Sequence, residues 1–165
     1  MAKQTIALVG AEGKTGSALA LGLVRLNLYR LLLLSEDESR LQKLSQQILL
    51  LSGEADVELI SCLKDGCWEA DLIIVDVPHA SIRDVADKIK EVSTQKIVFA
   101  IPATQEWQQL LPNTKVVTGI LNNPDMPEVV MAGNDRESVL IVADLIKKLG
   151  FQPVIKESFF ALNTL

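Results

Sequence analysis

Apolar positions recur along the chain in two rhythms. Short, nearly continuous apolar runs occupy residues 4–9, 29–34, 57–62, 72–77, 96–101, 115–119, 128–132 and 152–155. Their length, and the glycine, proline or polar residues that bound them, predict strands. Between them lie longer stretches, 13–26, 36–51, 81–92, 104–111 and 135–149, with apolar residues at three- and four-residue steps. Leu41, Leu44, Ile48 and Leu51 form one such stripe, and Ile82, Val85, Ala86 and Ile89 another. These predict amphipathic helices. Ser35 with Glu38, and Ser81 with Asp84, have the spacing of capping boxes at helix starts. Strands that alternate with helices, and that are apolar on both faces, predict an α/β fold: a doubly wound, mainly parallel sheet with helices on both faces. Residues 122–127, Asn-Asn-Pro-Asp-Met-Pro, are the most loop-like stretch but too short to separate two units, so residues 1–165 are expected to form one domain.

Composition removes several function classes. The 16 basic residues are outnumbered by 21 acidic ones and form no cluster, so phosphate neutralisation, the main source of nucleic-acid affinity, is not on offer. Two Trp, one Tyr and four Phe are too few for a base-stacking platform. A single histidine, His79, and two cysteines, Cys62 and Cys67, cannot build a three-histidine zinc site or a four-cysteine cluster, and no metal site is expected. The cysteine spacing matches neither a redox pair nor a zinc knuckle, which leaves two reduced thiols. No run of 18 apolar residues and no signal-peptide layout occurs, so a soluble, cytoplasmic protein without membrane contact is expected.

The chemistry-bearing segment is Gly10-Ala11-Glu12-Gly13-Lys14-Thr15-Gly16, between the first predicted strand and the first predicted helix. A glycine turn there lets the backbone approach a pyrophosphate, and the helix N-terminus adds unpaired N–H groups and partial positive charge. The last glycine lets helix and strand pack closely. The glycines stand at positions one, four and seven, not the commoner one, three and six. An ATPase-type phosphate loop would need glycine at position 8, where Leu8 stands. At the end of the second strand, Ser35-Glu36-Asp37-Glu38 reaches the place of an adenosine ribose. Glu36 there could accept from a 2′-hydroxyl and repel a 2′-phosphate, or it could simply serve the start of the next helix. His79, after the fourth strand, lies across the crevice from the glycine loop. It is a candidate for cofactor or substrate contact and for proton transfer; the plainer reading is an exposed loop histidine. Asp76 is assigned to structure.

Several blocks resemble one family. Ile6-Ala7-Leu8-Val9-Gly10 with its glycine loop, the run from Ala70 to Pro78, Leu111-Pro112-Asn113-Thr114-Lys115-Val116-Val117, Ala132-Gly133-Asn134-Asp135 and Leu149-Gly150-Phe151-Gln152-Pro153-Val154 occur in order over most of the chain. Together they resemble the NADP oxidoreductases related to the coenzyme F420-dependent enzyme, whose wider group includes the cytosolic domains of six-transmembrane ferrireductases. The resemblance implies a Rossmann domain that binds NADP(H) and exchanges hydride with a flavin-like acceptor such as F420. It implies that residues 10–16 hold the pyrophosphate, that Ser35 contacts the 2′-phosphate, and that Val77 and Pro78 line the cofactor cleft. Glu36 and Asp37 stand where the family places arginines, which leaves both NADP and NAD as cofactors to consider. After position 119 the family commonly reads Phe-Asn-Thr; this chain reads Ile120-Leu121-Asn122-Asn123, and the stretch up to Glu128 is short.

Two functional readings follow. The first is a small NAD(P)-dependent oxidoreductase domain, homodimeric so that a partner subunit closes its cleft, with no assigned catalytic residue because hydride transfer needs no protein nucleophile. The second is a dinucleotide-binding regulatory or interaction module without turnover.

Overall fold

The eight apolar runs become the eight strands of one sheet. A computed structural model describes residues 3–35, 37–121 and 128–157. In chain order the elements are β1 (Gln4–Val9), α1 (Lys14–Leu26), β2 (Tyr29–Leu34), α2 (Glu38–Leu51), β3 (Val57–Ile60), α3 (Leu63–Glu69), β4 (Leu72–Asp76), α4 (Ile82–Ile89), β5 (Ile97–Ile101), α5 (Glu106–Leu110), β6 (Lys115–Ile120), β7 (Glu128–Gly133), α6 (Arg136–Lys148) and β8 (Gln152–Ile155). A 3-10 turn, His79–Ser81, joins β4 to α4.

Strand order is β3-β2-β1-β4-β5-β6-β7-β8, so the winding reverses between β1 and β4. Every neighbouring pair is parallel except β6 with β7. The exception has a simple cause: residues 121–127 are too few for the crossover a parallel pair needs. Alternate residues of the inner strands feed two cores. Ile6, Leu8, Leu31, Leu33 and Ile74 pack under α1, α2 and α6. Ala7, Val9, Leu32, Leu34, Ile73 and Val75 pack under α3, α4 and α5. Burial on both faces is why β1, β2 and β4 read as unbroken apolar runs.

Three local expectations are corrected. Helix α3 falls in a stretch where the sequence signals no element; only Leu63, Gly66 and Cys67 of its seven residues are buried, too few for a helical stripe to declare itself. Helix α2 is capped by Asp37, whose side chain accepts from Arg40 N, and not by a box of Ser35 and Glu38. Ser35 Oγ instead accepts from Asp37 N at 2.9 Å, one step earlier. Ser81 makes no capping bond to α4, because the preceding 3-10 turn holds it in helical backbone geometry, whereas a capping residue is extended.

Candidate functional site

The reversal in strand order places the β1–α1 loop at the centre of the sheet's C-terminal edge, where open α/β sheets form their ligand crevice. Gly10 leaves β1 with φ of +84°, and a Cβ there would stand 1.8 Å from the Asp76 carbonyl oxygen. A Cβ on Gly16 would stand 2.2 Å from the Gly10 carbonyl oxygen. Both glycines are therefore demanded by backbone-to-backbone packing inside the protein. Gly13 is different. Its φ of −70° and ψ of 166° suit any residue. An added Cβ would meet Gly10 O at 3.3 Å and Asp76 Oδ2 at 3.5 Å, close to ordinary contact. The protein interior barely requires glycine at 13, whereas a ligand approaching the loop would.

Gly13 is also the cap residue of α1, and it has no side chain with which to cap. Gly13 N donates back to Gly10 O at 3.1 Å. The N–H groups of Lys14 and Thr15 find no acceptor among the described residues. The third, Gly16 N, donates to Asp76 Oδ2 at 2.9 Å, so the missing cap is supplied from 60 residues away. Ala11 is fully buried beneath the turn. Glu12 lies beside Asp76, and its Oε2 is buried with no hydrogen-bond partner among the described residues. Burial holds the Asp76 carboxyl above the usual carboxylate range; the Gly16 N–H opposes this and the Glu12 charge adds to it. Asp76 thus has a structural role, holding the start of α1, and it does so at the glycine loop itself. The signal in the sequence was an acid ending the otherwise apolar run Leu72-Ile73-Ile74-Val75.

Strand neighbours fix what lies on either side. On the β2 side, Ser35 is buried and Asp37 is occupied by Ser39 Oγ at 2.8 Å, Arg40 N at 3.2 Å and Arg40 Nε at 3.4 Å. The Ser39 hydroxyl, then the Arg40 N–H, keeps the Asp37 carboxyl below its ordinary range. Glu36 lies outside the described residues. A cavity of about 260 Å³ opens here between Ser35, Gln42, Ile60 and Ser61. On the β4 side, Val77 Cγ1 would lie 3.5 Å from a Gly10 Cβ, so Val77 abuts the loop, and Pro78 starts the 3-10 turn.

His79 projects to solvent, its side chain 72% exposed, with Nε2 at 3.8 Å from Glu106 Oε2. Arg83 Nε donates to Glu106 Oε1 at 3.1 Å. An open cavity of about 620 Å³ lies among His79, Arg83, Thr104, Gln105, Glu106 and Gln109. Its β5–α5 wall is fixed by buried Trp107, whose Nε1 donates to Pro102 O at 3.1 Å. The structure thus brings residues 10–16 together with Asp76 and Val77, and sets Ser35 and His79 on opposite sides of them. Among the described residues no helix is long and apolar enough to cross a membrane.

The comparisons with known proteins point one way. The model of the family described as NADP oxidoreductase, coenzyme F420-dependent, matches residues 5–104. An F420-dependent NADP reductase of Methanocaldococcus jannaschii is 25% identical over 179 residues, spanning 87% of this chain and 79% of the relative. A candidate F420-dependent NADP reductase from Arthrobacter sp. FB24 superposes with a TM-score of 0.74 at 19% identity, covering 98% of this chain and 87% of that one. An imine reductase variant from Myxococcus stipitatus, solved with NAD+, gives 0.75 at 14% identity over 99% of this chain and 59% of its own. At these identities the two structures establish the shared Rossmann-like fold.

Proposed function

Because the chain belongs to the NADP oxidoreductase, coenzyme F420-dependent family, we propose that residues 10–16, 35–40 and 77–83 hold a nicotinamide dinucleotide across the sheet edge and present it to a flavin-like acceptor. Family membership makes the chain a dinucleotide-binding oxidoreductase domain of the NADP type. The observation that carries the finer reading is the pair of N–H groups, Lys14 and Thr15, that have no acceptor among the described residues, at the start of α1 with bare Gly13 before them. Such a terminus suits the diphosphate, by hydrogen bonding and by the helix dipole.

When bound, the nicotinamide supplies the two-electron hydride exchange; the chain supplies position and electrostatics. Lys14 adds an exposed ammonium at the loop. Ser35 and the Arg40 guanidinium face the adenosine side and take the 2′-phosphate. With Asp37 spent on capping α2, its charge is partly answered by Arg40, which softens the repulsion that its position in the sequence suggests. The open cavity beside His79 receives the acceptor, with Arg83, Gln105 and Gln109 as polar anchors. A homodimer is part of the same reading: Leu140, Ile141 and Ile155 remain exposed along the α6 and β8 margin, and light scattering reads the mass.

One observation favours the module without turnover. Only residues 121–127 join β6 to β7, a short stretch with which to cover the acceptor side. A single experiment decides between the readings. Calorimetric titration with NADP+ and NAD+ is followed by NADPH oxidation assays with F420, flavin mononucleotide, ferric chelate and quinone. Oxidation by a flavin or F420 is the expected result. Binding without oxidation by any of the four assigns the module, and absence of binding removes both.

A further inference from the structure

Two carboxylates stand at the loop on which the diphosphate is proposed to rest, and Asp76 Oδ2 lies only 3.5 Å from where a Cβ on Gly13 would stand. Asp76 cannot withdraw: its main chain is wedged against Gly10, and its Oδ2 is held by Gly16 N at 2.9 Å. Glu12 beside it keeps one oxygen buried and without a hydrogen-bond partner among the described residues. Resting on the reading above, we propose that dinucleotide binding by this domain is proton-coupled: Asp76 takes up a proton as the diphosphate arrives, so affinity falls as pH rises.

The surroundings single out Asp76 as the group that responds. The loop and first turn of α1 face it with Glu12 and, further out, the exposed Lys14. The turn after β4 contributes His79, which is turned towards Glu106 and Arg83 on α5 and α4. The flanking strands β1 and β5 end at Val9 and Ile101 and bring no charge. Burial already disfavours the ionised carboxyl, and Glu12 pushes the same way. A diphosphate adds two more negative charges, and a like charge within about 4–6 Å disfavours ionisation further. The cheapest relief is a proton. Protonated Asp76 becomes a donor able to face a phosphate oxygen, although it gives up acceptor strength toward Gly16 N–H. The proton comes from solvent, and no bond other than O–H forms.

The test is isothermal calorimetry with NADP+ between pH 5 and 8, in pairs of buffers with different ionisation enthalpies, on wild type and Asp76→Asn. Asn keeps a side-chain oxygen for Gly16 N. The 2′-phosphate of NADP+ can titrate near pH 6, so the proton assigned to Asp76 is the difference between the two proteins. Wild type should take up more protons per dinucleotide than the variant, up to one. Its dissociation constant should rise by up to roughly tenfold per pH unit above the carboxyl's midpoint, the slope of a one-proton linkage. The variant should bind more tightly than wild type at pH 7.5, with the gap narrowing as pH falls.

Should Asp76→Asn not fold, Glu12→Gln must show the same sign with a smaller gain. Equal proton counts, or weaker binding by these variants at pH 7.5, overturn the inference and leave the proposed function standing. Failure of wild type to bind NADP+ or NAD+ at any pH overturns both.

Discussion

Gly13→Ala separates folding from ligand binding at the glycine loop. The added methyl would sit 3.3 Å from Gly10 O and 3.5 Å from Asp76 Oδ2, a tight fit that shifts of a few tenths of an ångström relieve. Backbone angles at 13 are ordinary. Replacing glycine at a compatible position gains about 0.4–1 kcal/mol through the unfolded chain. Replacing glycine by alanine at a cap costs roughly 0.5–1 kcal/mol. The sum lies within about 1 kcal/mol of zero, and for a chain near 150 residues that moves the thermal midpoint by roughly 4 °C at most. Binding should respond far more. The methyl covers the approach to the Lys14 and Thr15 N–H groups, and one hydrogen bond to a charged group contributes about 1.5–3 kcal/mol. At ~1.4 kcal/mol per factor of ten, NADP+ affinity should fall roughly ten- to a hundredfold. Scanning calorimetry and titration calorimetry on one preparation read both numbers. Affinity within twofold of wild type in a folded variant would refute the loop's role. A collapse of the midpoint would refute the steric reasoning. Gly16→Ala is the contrast: its Cβ meets main-chain oxygen at 2.2 Å, so stability itself should drop.

Other expectations follow from single groups. Arg40→Glu should lower affinity for NADP+ at least tenfold while changing that for NAD+ little, because only the former carries a 2′-phosphate; equal losses in titrations would reject Arg40 as its contact. His79→Ala should reduce turnover by less than the roughly 10²-fold expected of losing a general acid, since its side chain is 72% exposed; a larger loss in steady-state assays, with cofactor affinity intact, would make it catalytic. Burial pushes the Cys67 thiol up to about 12, leaving a thiolate fraction of about 10⁻⁴ at pH 8, so iodoacetamide should label only exposed Cys62 in native protein and both thiols after denaturation, as mass spectrometry will count. The Ser138 hydroxyl and N–H hold the Asp135 carboxyl below its ordinary range. Its stabilisation is therefore present above the unfolded value near pH 4 and lost as pH falls through the lower folded value. The midpoint difference between wild type and Asp135→Ala should be full at pH 6 and shrink below about pH 4.

Much of this protein is written in local pattern. Runs such as Ile6-Ala7-Leu8-Val9 and Leu72-Ile73-Ile74-Val75 can satisfy both faces only inside a covered parallel sheet, so fold class follows from periodicity alone. The tight strand-to-helix turn is legible as well, because Gly10 and Gly16 stand where backbone must pack on backbone. Where a signal depends on partners distant in sequence, pattern fails. Helix α3 buries only Leu63, Gly66 and Cys67, and it packs largely on β1 and β2, strands it does not adjoin in the chain. The two apparent capping boxes have the right spacing, yet Asp37 and a 3-10 turn take their places, because cap geometry depends on backbone angles that spacing does not specify. Asp76 is the clearest case. In sequence it is an acid at the end of a strand. Only the folding of β4 beside β1 puts its carboxylate on Gly16 N, 60 residues away, and next to Glu12. The glycine spacing announces a tight strand-to-helix turn, while the carboxylates that stand beside that turn are decided by strand order.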